Sequence, residues 1–383
     1  MKPEREKSLL RKHPWIFSGA IEALPEDCKP GELFHVLSSN KQFLALAYFH
    51  QGHSLCGRVL SFEDKPIEIV LQEKIDKAFS KREPFLSSAT TAYRLINAEG
   101  DGLPGLIIDQ YENVLVLQVT TAGMANLVPL LLPLLIEKFQ PKTIYEKSHG
   151  FARQQEGLPD SQGVLWGEKA DEIEILENGM KFAVSLKEGQ KTGFFLDQRE
   201  MRKMIRELSS ARKVMNAFAY TGGFSIAALA GGATHVDSIE ISSKAGTILE
   251  KNLILNGYQG RSHSFFCEDV FDFLSQQALD HDLFIIDPPA FAKKRSDIES
   301  ACKGYKRLMT EVFSRAKPGA LLLFSSCSYY IDEKLLDTLA FQAALEQKRD
   351  VSLLSRHRQA FDHPISLFHP EGSYLKSVLF SIQ

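Results

Sequence analysis

From about residue 187 onward, five apolar runs, KVMNAF, THVDSIEI, SHSFFCE, DLFIIDPP and GALLLFSS, alternate with helix-length stretches such as GFSIAALAG, SKAGTILEKNLILNG and VFDFLSQQAL. That rhythm marks parallel β-α-β units, whose strands are covered on both faces and therefore read as nearly continuous apolar runs. It predicts an α/β fold with a doubly wound sheet over residues 187–383. The closing YLKSVLFSIQ is expected as its antiparallel edge.

The preceding half has a different texture. Residues 1–72 hold short β-type runs, GELFHVLSS, FLALAYF and CGRVLSF, parted by turn residues, and predict a small β-rich module. Residues 73–186 read as an α+β intermediate domain, entered through the charged helical stretch LQEKIDKAFSKREPFL. Within it AYRLINAEGDGLPGLIIDQYENVLVLQVT gives strand, turn and strand, and further strands are expected near TIYEKS, IEILENG and KFAVSL. The apolar stretch LVPLLLPLLIEKF from Leu127 is too short and too interrupted by proline to suggest a membrane span. MKPEREKSLLRKHPW has no apolar signal core, so a cytoplasmic protein with no membrane partner is expected.

A formal charge of −3 argues against broad electrostatic binding of nucleic acid and leaves room for local patches. Two exist: Lys2, Arg5, Lys7, Arg11 and Lys12, and then Lys293, Lys294, Arg295, Lys303, Lys306 and Arg307. The five cysteines, at 28, 56, 267, 302 and 327, are odd in number and widely spaced, which fits reduced thiols and no disulfide framework. The eleven histidines show no paired metal-ligand spacing.

The candidate ligand positions fall where strands end. In NAFAYTGGFSIAALAGGA a strand from Asn216 runs into a turn holding Phe218, Gly222 and Gly223, and then into a helix. In a doubly wound sheet such turns collect ligands, although a tight turn without a ligand has the same look. The G-x-G-x-x-G and G-K-[ST] spacings are missing, so a pyrophosphate or triphosphate is not indicated. Glu240 closes the next strand, where a carboxylate suits the two ribose hydroxyls of an adenosine-containing cofactor, and Asp269 in FCEDV lies where an adenine amine would be. Asp287 in DLFIIDPPAF is either a turn residue or an acceptor for the amidine edge of a base. Cys327, in LLLFSSCSYY, is either a small core residue or a thiol held at the mouth of a cleft.

With EGQKTGFFLDQREMR, YTGGFS, DPPAFAKK and SSCS added, the chain resembles class I S-adenosylmethionine-dependent methyltransferases. Within them it looks like the bacterial and archaeal ribosomal RNA cytosine-C5 methyltransferases that carry an N-terminal PUA domain. HPWIFSGAIE and NAEGDGLPGLIIDQY match that family's linking segments, so the resemblance spans nearly the whole chain. It implies a Rossmann-like methyltransferase domain at 187–383, a PUA-like RNA-binding domain at 1–72, and S-adenosyl-L-methionine as cofactor. The implied partner is ribosomal RNA, 23S foremost, or a ribosomal subunit precursor. Cofactor contacts are implied for Thr192, Phe195, Arg199, Asn216, Phe218, Gly222, Glu240 and Asp269. Where the family usually has an acid, Asn216 offers a hydrogen bond without the charge.

The resemblance also implies a mechanism. Carbon 5 of cytosine is a poor nucleophile, and addition of the Cys327 sulfur to C6 would make C5 enamine-like. Many related enzymes have a second cysteine after the Asp-Pro pair; here Pro289 and Ala290 follow, implying a single-cysteine route. Water, Asp287 and a group on the substrate are the candidates for the C5 base. A flipped or single-stranded target would meet Pro288, Phe291, Lys293, Lys294, Tyr329 and Tyr330, each of which also has an ordinary packing or solvated role. Two other functions stay open: N-methylation of guanine or adenine, which needs no cysteine, and an RNA-binding or assembly protein with an idle methyltransferase fold. A homodimer is compatible with the sequence and not specified by it.

Overall fold

The computed structural model describes residues 1–260 and 262–383. The chain forms two compact units that are not consecutive in sequence: the first takes Met1–Ile175, Val184–Leu196 and Phe361–Gly372, the second Leu176–Ala183, Asp197–Ala360 and Ser373–Gln383.

The first unit holds two sheets. Four strands, in the spatial order Trp15–Phe17, Leu55–Ser61, Phe43–Phe49 and Glu32–Leu37, close over Ile16, Val36, Ala45, Phe49 and Val59. Five more, Ala92–Asn97, Leu106–Tyr111, Val114–Val119, Thr143–Ser148 and Ser161–Gly167, lie side by side in chain order. The boundary expected at residue 72 falls inside the helix Ile67–Arg82, whose Val70, Leu71 and Ile75 are buried in the core of the five-stranded sheet. The boundary expected at 186 is displaced too, because Val184–Leu196 belongs to this unit. Phe361–Gly372 joins it through Asp362, whose carboxylate accepts from the Arg94 amide while its carbonyl accepts from the buried Arg82 guanidinium.

The apolar stretch near Leu127 is longer than its prolines suggested. Ala122–Phe139 is one helix of 18 residues, and among the described residues it is long and apolar enough to cross a membrane by length and composition. Leu127, Leu131 and Leu135 are buried in the core. Pro129 and Pro133, four apart, lie on the exposed side, where the carbonyls left without donors face water.

The second unit is built around one seven-stranded sheet with helices packed on it, and it takes in part of the hairpin Glu172–Glu177 and Met180–Ser185. The strands of the sheet are β1 (Lys213–Ala217), β2 (His235–Ile239), β3 (His263–Phe266), β4 (Leu283–Ile286), β5 (Ala320–Ser326), β6 (Val351–His357) and β7 (Lys376–Ile382). The helices that matter here are α1 (Arg199–Leu208), α2 (Gly223–Ala230), α3 (Ser243–Leu255), α4 (Val270–Gln276), α5 (Ile298–Arg315) and α6 (Glu333–Gln347). The order across the sheet is β3-β2-β1-β4-β5-β7-β6. Strands β1 to β5 run parallel, and β7 is antiparallel to both of its neighbours. The expectation for YLKSVLFSIQ is corrected in one respect: β7 is antiparallel but interior, and the edge is β6, VSLLSRH, whose polar residues hid a strand that needs cover on only one side. Strand order reverses between β1 and β4, the topological position at which doubly wound sheets leave a crevice at the carboxyl ends of their strands.

Candidate active site

Beyond β1 the chain reverses through Phe218, Tyr220 and Gly222, which take left-handed φ values of 60°, 49° and 80°. The sheet end is thereby brought directly onto α2. The Asn216 amide donates to Ser225 Oγ at 2.8 Å, while its buried Oδ1 has no hydrogen-bond partner. The Thr221 hydroxyl is buried and unpartnered in the same turn. Leaving such groups unpaired costs about 1–3 kcal/mol each, a cost that a ligand with complementary donors removes. Glu240 joins the turns after β1 and β2, its two oxygens accepting from the Tyr220 and Ser242 amides at 2.9 Å each. Each oxygen retains a second lone pair for a hydroxyl.

Other expected cofactor positions have local work to do. A Cβ on Gly222 would sit 2.7 Å from Leu249 Cγ, so this glycine serves its left-handed turn and the packing of α3. Asp269 is the N-cap of α4, its Oδ1 accepting from the Phe271 and Asp272 amides. Arg199 is buried on α1 with Nε 3.8 Å from Glu177, which Arg202 grips at 2.6 Å through two bonds. Thr192 and Phe195 belong to the first unit. There the buried Thr192 hydroxyl donates to Asp109 at 2.5 Å and lies 2.9 Å from the Tyr111 hydroxyl, and Phe195 lies under the Lys191 ammonium. Asp197 sits in a 3-10 turn before Arg199 and accepts from the Tyr374 hydroxyl at 2.6 Å.

On the other side of the crevice, β4 delivers Asp287 and the buried Pro288, and β5 delivers Cys327 beside them. The Gln198 amide donates to Asp287 Oδ2 at 2.6 Å. Cys327 is half-buried, its Sγ 4.0 Å from the Pro288 carbonyl. Its surroundings are polar: Ser328 Oγ lies 2.8 Å from the Tyr305 hydroxyl, and Lys376, from the start of β7, donates to the Ser328 carbonyl at 2.7 Å. Burial pushes the Lys376 amine down to about 8 and raises the Tyr305 phenol.

The residues expected to meet RNA divide into two groups. Phe291 stacks on Tyr305 with centroids 4.8 Å apart and faces Phe271 at 6.2 Å, so it packs, half-buried, against the core over α5. Lys293 and Lys294 are exposed, their backbone amides held by Asp297, and Tyr329 is 55% exposed with its ring edge-on to Tyr330. Four residues with a place in this geometry were missed in the sequence: Gln198, Thr221, Tyr305 and Lys376. Only Lys376 carried a signal, a charge at the head of an otherwise apolar strand.

A family model described as S-adenosylmethionine-dependent methyltransferase matches residues 136–346, and one described as a PUA-like domain matches residues 1–62. The ribosomal RNA large subunit methyltransferase I of Yersinia pseudotuberculosis is 38% identical over 379 residues, covering 97% of this chain and 96% of that protein. A SAM-dependent methyltransferase from Streptococcus mutans shares the fold with a TM-score of 0.84 at 24% identity, over 99% of this chain and 98% of that one. A methyltransferase structure complexed with SAH also gives 0.84 at 24%, over 98% and 97%.

Proposed function

This chain belongs to the S-adenosylmethionine-dependent methyltransferase family, and on that premise we propose that it methylates carbon 5 of a cytosine in large-subunit ribosomal RNA through a covalent bond between Cys327 and C6. S-adenosylmethionine, when bound, supplies an electrophilic methyl group. Glu240 would accept from its ribose hydroxyls, and the unpartnered Asn216 Oδ1 would accept from its ammonium. Asp287, oriented by Gln198, accepts from N4–H of the target base and, once N3 is protonated, from N3–H. The Cys327 thiolate adds to C6, the electron pair gathered at C5 takes the methyl group, and loss of the C5 proton re-forms the double bond and expels the sulfur.

One observation carries this reading. Cys327 stands at the end of the strand next to the Asp-Pro turn, half-buried among Ser326, Ser328, Tyr305 and Lys376 instead of in an apolar core. The exposed Lys293, Lys294 and Tyr329 offer RNA contacts, and the PUA-like residues 1–62 offer a further RNA-binding surface.

The test uses RNA carrying 5-fluorocytidine at the target. Fluorine replaces the proton that must leave, so the wild-type protein should form a denaturation-resistant adduct that requires S-adenosylmethionine and is lost in Cys327→Ala. If Cys327→Ala methylates natural RNA at an undiminished rate, the covalent route falls and N-methylation of a purine, which shares the Asp-Pro-Pro turn, takes its place. Mass spectrometry of the methylated nucleoside separates the two directly.

A further inference from the structure

The reaction needs a base for the C5 proton, and stereochemistry restricts where that base can stand. Sulfur bonds to one face of the ring at C6 and the methyl group reaches C5 from the opposite face. The original C5 hydrogen is therefore turned toward the sulfur's side, and its base must belong to the Cys327 side of the crevice. Asp287 is committed to Gln198 and to the amidine edge of the base. Tyr305 has a phenol raised by burial, bonded to Ser326 and Ser328 and stacked beneath Phe291, which makes it a weak candidate.

Lys376 meets the requirement. Strand β7 pairs with β5 in a register that puts Lys376 opposite Ser326, one residue from Cys327. Its side chain is buried, with the residue only 6% exposed, and no carboxylate lies within ion-pair distance of it among the described residues. The charged and titratable groups acting on the amine are Cys327 on β5 and Asp332 and Glu333 at the start of α6, and Glu333 is already paired with Arg358. A buried amine without a counter-ion is poised near neutrality, and burial holds this one at about 8. One N–H is used on the Ser328 carbonyl, which fixes the nitrogen and, in the neutral form, leaves its lone pair available.

We propose that Lys376 takes the C5 proton in the elimination half of the reaction and then, as an ammonium, faces the departing Cys327 thiolate. The Nζ lone pair bonds to the proton, the C5–H electrons become the C5–C6 double bond, and the C6–S electrons leave with sulfur. The products are 5-methylcytosine, a thiolate and an ammonium, with no other reactant consumed. The inference rests on the covalent reading above.

The full-length protein tests it with ordinary and 5-fluorocytidine ribosomal RNA, S-adenosylmethionine, and the variants Lys376→Met, Lys376→Arg and Cys327→Ala. Both lysine variants should trap fluorinated RNA as wild type does, because that step precedes elimination. On ordinary RNA both should accumulate a methylated adduct whose release is slower by about 10²-fold or more, the usual loss of a general base. Wild-type release should speed up as pH rises toward 8, and the residual release in Lys376→Arg should lack that rise. Wild-type turnover in Lys376→Arg would overturn the proposal by leaving only a charge requirement. So would failure of both lysine variants to trap either RNA while binding S-adenosylmethionine normally, since the lysine would then act before elimination. Undiminished methylation by Cys327→Ala instead removes the covalent reading on which the inference stands.

Discussion

At the scale of single residues, Glu240 combines a structural bond with a proposed ligand bond. Glu240→Ala should weaken S-adenosylmethionine binding by about 1.5–3 kcal/mol, the range for hydrogen bonds to charged groups. Glu240→Gln should lose less, since its amide oxygen still accepts. Calorimetry showing full affinity in folded Glu240→Ala would withdraw the assignment. Asp269 carries a separable expectation. As an N-cap it should cost about 1 kcal/mol of stability when changed to Ala and little when changed to Asn, which caps as well. Loss of cofactor affinity in the well-folded Asp269→Asn would give it a ligand role beyond the cap. The strand-end acids and Cys327 were legible because a carboxylate or thiol after an apolar run is conspicuous. Gln198 and Thr221 were not, since a loop amide or hydroxyl declares itself only through its partner, as Gln198 does with Asp287, or through lacking one, as Thr221 does.

At the scale of elements, β1, α2, β2 and β3 are stitched by a buried polar chain. It runs from the Asn216 amide to Ser225, from Ser225 to Ser238 at 2.7 Å, and from Ser238 to His263 Nε2 at 2.9 Å. Burial pushes His263 down from 6.5 to about 4. The unfolded chain therefore binds this proton first. The stability His263 contributes is whole above pH 6.5 and drains away as pH falls toward 4, by about 1–2 kcal/mol after allowance for its partial exposure. Urea titrations should show His263→Gln losing less stability than wild type across that window, and parallel losses would assign the acid sensitivity elsewhere. The strands of this sheet were readable from their apolar runs because both faces are covered. β6 was not, because an edge strand need not be apolar, and neither was the full span of Ala122–Phe139, because only burial shows that its prolines face outward.

At the scale of the whole molecule, the proposed RNA-placing role of the N-terminal module can be tested by charge instead of deletion, since the module shares a core with the rest of the first unit through Tyr48, whose hydroxyl reaches Pro104 and Thr121. Arg5, Lys7, Arg11 and Lys12 are exposed. Changing all four to Glu should leave S-adenosylmethionine affinity and melting temperature intact while raising the KM for RNA and flattening its salt dependence. An unchanged KM would place the RNA elsewhere. The sequence does not reveal the discontinuous units, because no local pattern announces that 361–372 returns to a body begun at residue 1. That return sets a timetable for synthesis. Arg82 is made 280 residues before the Asp362 carbonyl that it binds, so at about 5–20 residues per second it waits about 14–56 s for that partner. Until then Arg82 Nη2 holds Asp101 alone, and a ribosome stalled before residue 361 holds a first unit that lacks the Asp362 carbonyl and carboxylate.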